Sequence, residues 1–106
     1  MHWYYYVSYF WGGVFFANSF PHIGNGVSGR PFQSPFAKPP GQGLSSSRTN
    51  VLWGFANVVI AYLLICHVGS FDLHNWGHAL AVGLGMLAIS LNAAYGFGRF
   101  HGGLLN

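Results

Sequence analysis

Two stretches decide the fold: Val51–Gly69, VLWGFANVVIAYLLICHVG, and Gly77–Gly98, GHALAVGLGMLAISLNAAYGFG. They run 19 and 22 residues without a single Lys, Arg, Asp or Glu. A helix needs about 20 apolar residues to cross a hydrocarbon core of about 30 Å. A third stretch, Trp3–Phe20 (WYYYVSYFWGGVFFANSF), is equally free of charge and fits with little to spare at 18 residues. Lipid offers no partner to an open backbone amide, so spanning segments are helices or strands of a closed barrel. None of the three alternates with period two, and each is longer than a barrel strand of about 10 residues. The chain is therefore expected to be an all-α membrane protein. Its expected layout is one domain over 1–106, with transmembrane helices at 3–20, 51–69 and 77–98, a loop at 21–50, a turn at 70–76 and a tail at 99–106.

Composition agrees. Only 5% of the 106 residues are charged and 52% are hydrophobic, whereas soluble domains carry about 25% charged residues. A soluble enzyme, a disordered chain and a disulfide-stapled secreted domain are all excluded on this ground. Glycine and the interfacial aromatics Trp and Tyr are frequent in membrane proteins, and this chain has 16 Gly, 4 Trp and 6 Tyr. A cleavable signal peptide is the rival for the first span, with Ala17-Asn18-Ser19 as its small-x-small site. Against it, no Lys or Arg precedes the apolar run, and that run is aromatic where signal cores favour Leu and Ala. The first span is expected to stay.

The five charges orient the chain. Arg30, Lys38, Arg48 and Arg99 fall in the 21–50 loop and the tail, which share one side of a three-span protein; Asp72 stands alone in the opposite turn. Cations in short loops stay cytoplasmic, so the N-terminus is expected outside and the C-terminus in the cytoplasm of a bacterial inner membrane. A net charge of +3 is met by anionic headgroups and requires no nucleic acid.

All five prolines lie in the cytoplasmic loop, with Gly and Ser between them. Such a segment is expected to be extended rather than helical. Phe32 and Phe36 need a surface to cover them, so the loop is expected to be ordered against the helix ends or a neighbouring subunit, with Thr49 or Asn50 capping the second helix.

On the third span, Gly77, Ala81, Gly85, Ala88, Asn92 and Gly96 recur at helical spacing, opposite a ridge of Leu80, Leu84, Leu87, Leu91 and Tyr95. Small residues let helix backbones approach closely in lipid. Asn57 and Asn92 each lie six residues inside the cytoplasmic end of their spans, which is about 9 Å deep at 1.5 Å per residue. With Asn18 at a similar level, these amides are expected to clamp the helices together.

Six histidines remain. His2, His67, His74 and His78 fall on the outer side with Cys66 and Asp72. His2, His67, His74, His78 and Asp72 form the candidate metal set, of a chemistry suited to Zn²⁺ or copper. His67 and His78, at matching depth on adjacent spans, form the candidate axial pair for a haem or a chlorophyll-type pigment. The competing reading is interfacial histidine, with His74-Asn75 capping the third helix. His22 and His101, on the inner side, read as headgroup contacts, and Cys66 as packing. A cofactor-free chain is the leading expectation.

No nucleophile–base–acid set exists, since the chain has one carboxylate and general acid–base chemistry would rest on histidine alone. Phosphate-cradling glycine motifs are absent. The chain is accordingly read as a non-enzyme. Its expected role is a small accessory subunit of a larger membrane assembly, respiratory or photosynthetic in type, or a self-associating protein. Docking would use Phe32, Phe36, Asn57, Gly77, Ala81, Gly85, Ala88 and Asn92, with other membrane subunits, further copies and the bilayer as partners. The alternative is ligand binding at the outer histidines. A small homo-oligomeric channel or transporter is weaker, because ion routes normally carry an intramembrane charge.

Overall fold

The computed structural model describes residues 2–105. It contains three helices, α1 (Trp3–Val27), α2 (Ser47–Cys66) and α3 (Trp76–His101). A two-stranded hairpin of β1 (Phe32–Gln33) and β2 (Leu44–Ser45) lies between α1 and α2, pairing Phe32 with Ser45 and Gln33 with Leu44. By length and apolar composition α2 and α3 are able to cross a membrane, with mean hydropathies of 1.8 and 1.6.

The helix ends follow local chemistry. The Ser46 hydroxyl accepts the Thr49 N–H at 3.2 Å and caps α2, so the cap is Ser46 and not Thr49 or Asn50. Asn75 caps α3, its Oδ1 accepting the His78 N–H at 3.1 Å. The last turn of α3 closes on Gly102, whose φ of 78° suits a residue without Cβ.

The first helix runs seven residues beyond the expected Phe20 end, straight through Pro21. A proline removes one ladder bond, and here side chains secure the turns that follow. Asn25 Nδ2 donates to the Pro21 carbonyl at 2.8 Å, and the Ser28 hydroxyl donates to the Gly24 carbonyl at 2.8 Å. His22 and Gly26, in the same turns, are buried. The loop is thus 28–46 rather than 21–50, and part of it is strand.

α1 is the hub. It packs against both α2 and α3, while those two make little contact with each other, and the result is a slab of 42 × 32 × 22 Å. The adjacent pair Gly12-Gly13 divides the work. A Cβ on Gly12 would run into the Ile65 side chain of α2; one on Gly13 would run into the Val82 carbonyl of α3. Reciprocally, a Cβ on Gly85 would strike the Phe10 carbonyl of α1. Gly85 is therefore buried within the chain itself.

The α2 face toward α1 reads Ser47, Asn50, Gly54, Asn57, Ala61 and Leu64, alternating steps of three and four as a left-handed helix pair requires, with Val68 just past the helix end. Across this seam the Ser8 hydroxyl donates to the Leu64 carbonyl and the Tyr9 hydroxyl to the Val68 carbonyl, both at 2.7 Å. Asn18 Nδ2 donates to Asn57 Oδ1 at 3.1 Å, and Asn57 Nδ2 donates to the Trp53 carbonyl at 2.8 Å. Asn18 and Asn57 pair as expected. Asn92 does not join them: it is exposed beside Phe10 and Trp11, on a helix that barely touches α2.

Burial is inverted relative to a soluble domain. The largest fully buried side chains are Tyr9, Asn50, Asn57, Ser19 and Ser34, whereas Leu80, Leu84, Leu87, Leu91 and Tyr95 of α3 are all exposed. Polar groups hold the inside and hydrocarbon covers the outside.

Candidate functional site

At the turn end of the slab, the histidines that the sequence singles out do not converge. His67 is exposed and its Nε2 meets the Tyr62 hydroxyl at 3.1 Å. His78 is buried against Tyr6, Tyr9 and Phe71, and its Nδ1 accepts the Asp72 N–H at 2.9 Å. His74 and Asp72 lie exposed with their side chains 3.4 Å apart, and His2 stacks on Tyr4. Among the described residues no three His, Cys, Asp or Glu side chains group as metal ligands do. Cys66, read from the sequence as packing, is exposed.

The residues that do converge lie at the loop end. His22 from α1, Asn50 from α2, and Phe32 and Gln33 from β1 meet in one buried junction, with half-buried Trp53 of α2 and Phe97 of α3 and exposed His101 of α3 at its edge. Asn50 is its pivot. Asn50 Nδ2 donates to the carbonyls of Phe32 and Ser45 at 3.2 Å and of Ser46 at 3.0 Å. Three acceptors around the nitrogen fix the amide orientation, so Asn50 Oδ1 is the atom that faces His22 Nδ1 at 2.7 Å. An amide oxygen only accepts, so His22 carries its proton on Nδ1 and presents Nε2 as an acceptor.

Phe32 is 6% exposed. Its ring stacks on His101 at 5.3 Å, tilts against Phe97 at 4.6 Å and stands edge-on to His22 at 5.6 Å. His101 Nε2 donates to Gln33 Oε1 at 2.8 Å. His22 is thus a buried member of this junction and not a headgroup contact, while His101 stays exposed at its edge. Phe32, expected to grip a partner, is used up inside the chain; Phe36 stays exposed with its ring edge-on to Trp53 at 5.1 Å.

The small-residue face of α3 is also divided. Gly85 serves the α1 crossing and Gly77 abuts Tyr6, while Ala88 and Asn92 line an open groove beside Phe10, Trp11 and Val14. Ala81 is half-buried.

Two cavities adjoin the loop-end junction. One, of about 370 Å³, is lined by Asn18, His22, Gln33, Ser34, Trp53 and Phe97, with the prolines and Gly41 of the loop as its rim. The second, of about 300 Å³, shares Asn18 and Phe97 with the first and continues between α1 and α3 along Ala17, Phe20, Ile89 and Ala93. The buried Trp53 Nε1 has no hydrogen-bond partner among the described residues. Sequence reasoning missed this cluster because its members come from four segments: His22 and Asn50 are 28 residues apart, Gln33 and His101 are 68. The one signal on offer was the place of Asn50 on the three–four seam of α2. No family model, curated protein or solved structure matches this chain.

Proposed function

We propose that the protein is a three-span membrane subunit, N-terminus outside and C-terminus cytoplasmic, that packs through its apolar faces within a larger assembly of a bacterial inner membrane. The observation that carries this reading is the inverted burial: amides, hydroxyls and histidine are enclosed, and the α3 ridge of Leu80, Leu84, Leu87, Leu91 and Tyr95 is bare. Water would make such a surface an aggregation site, whereas lipid or another helix covers it at no such cost. α1 is the central helix of the slab, so a structure whose two flanking helices span lipid carries α1 with them.

With Gly85 and Phe32 engaged inside the chain, docking falls to the open groove of Ala88 and Asn92 and to the exposed Phe36. Native mass in mild detergent tests this. The expected result is a species well above the 11.6 kDa chain, lost in Ala88→Trp while the helical spectrum is kept. A second polypeptide in that species marks the accessory form, and its absence marks self-association. A mass of one chain in both proteins contradicts the proposal.

A further inference from the structure

The loop-end cavity presents a defined set of hydrogen-bonding atoms. His22 is buried, its Nδ1 donates to Asn50, and its Nε2 remains as an acceptor. Asn18 spends its Nδ2 on Asn57, which leaves Oδ1 as a second acceptor. Gln33 is 5% exposed and spends Oε1 on His101, which leaves its Nε2 as a donor. Among the described residues none of these three remaining atoms has a partner. The orphaned Trp53 Nε1 in the same wall is a second donor. A buried polar group without a partner is costly; Trp53 Nε1 is one such atom, and with three further unspent hydrogen-bonding atoms on residues that line the same cavity it points to an occupant.

The lining also limits what that occupant is. It contains no Lys, Arg, Asp or Glu, so nothing there neutralises a phosphate or an ammonium. A lone carbonyl would satisfy the donors and leave the two acceptors unmet. A hydroxyl both donates and accepts, and so serves His22 or Asn18 on one side and Gln33 or Trp53 on the other. Beyond Asn18 and Phe97 the second cavity is largely apolar, walled by Ala17, Phe20, Ile89 and Ala93 with Ser90 as its one further polar residue, which suits a hydrocarbon chain.

We propose that the two cavities form one site for an amphiphile with an uncharged hydroxyl head, the head among His22, Asn18, Gln33 and Trp53 and the tail between α1 and α3. This site is separate from the outer histidines and from the Ala88 groove. It shares with the subunit reading only the membrane setting, and either can fail without the other.

Two sources supply such a head, a phenolic hydroquinone and an aliphatic glycerolipid alcohol. The full chain in lipid nanodiscs is titrated calorimetrically with a decyl hydroquinone under reducing conditions and with dioctanoylglycerol. Each is paired with its O-methyl ether, which keeps the oxygen and loses the donor. At least one alcohol is expected to bind saturably, and its ether at least about tenfold more weakly, the ratio that follows from losing one buried hydrogen bond. Which alcohol binds identifies the source. Ala94→Trp, on the exposed wall of the tail cavity, is expected to weaken binding by a similar factor without changing the helical melt. Ser90→Trp, on the same wall, is the second variant should the first disturb folding. Absence of saturation by either alcohol, equal binding of alcohol and ether, or unchanged affinity in a folded wall variant would each overturn the site.

Discussion

Gly83 and Gly85 stand two residues apart on α3, and the same added methyl group should act on them in opposite directions. Gly83 has open space where a Cβ would go; Gly85 has the Phe10 carbonyl. Gly83→Ala removes the entropic cost of a mid-helix glycine and is expected to stabilise by up to about 1 kcal/mol. Gly85→Ala forces α1 and α3 apart and is expected to cost about 1–3 kcal/mol. Thermal melts followed by circular dichroism in detergent read both. Asparagines divide in the same way. Asn50→Ala strips the partners from His22 and from three carbonyls, so a loss of about 3 kcal/mol is expected, while exposed Asn92→Ala should lie within about 0.5 kcal/mol of the parent.

At the scale of elements, the caps and the hub matter most. Ser46→Ala removes the acceptor for the Thr49 N–H and is expected to cost about 1 kcal/mol, seen as fraying of the first turn of α2 by hydrogen exchange. Helix existence was legible because charge-free apolar runs of the right length have few other solutions. Helix ends were less so. Pro21 reads as a stop, and only the Asn25 and Ser28 side chains, bonding back into the helix, show why it is not. The small-residue stripe on α3 was visible, yet its rotation was not, since Gly85 faces α1 while Ala88 and Asn92 lie beside the contact. The aromatic wealth of α1 concealed its more informative residues: Ser8, Gly12, Gly13 and Ser19 set its two contact faces, and the rings fill the remainder. The candidate site was the least legible part. Histidines close in sequence drew attention to the turn end, but chain proximity does not make a cluster, and the loop-end junction depends on a hairpin that returns Gln33 to the end of α3.

The whole molecule is a thin slab with α1 in the middle, polar atoms along the α1–α2 seam and apolar side chains outward. This arrangement explains how so few charges suffice: internal order comes from amide and hydroxyl bonds to backbone, and the outward faces of α2 and α3 are left to apolar side chains. It also makes topology the decisive property. In a Cys66→Ser background, Ser70→Cys in the exposed turn and Gln42→Cys in the exposed loop are treated in intact cells with a membrane-impermeant maleimide. Three spans with the N-terminus outside predict that Ser70→Cys is labelled in intact cells and Gln42→Cys only after lysis. Labelling of Gln42→Cys from outside, or labelling of both positions from one side, would contradict the spanning arrangement.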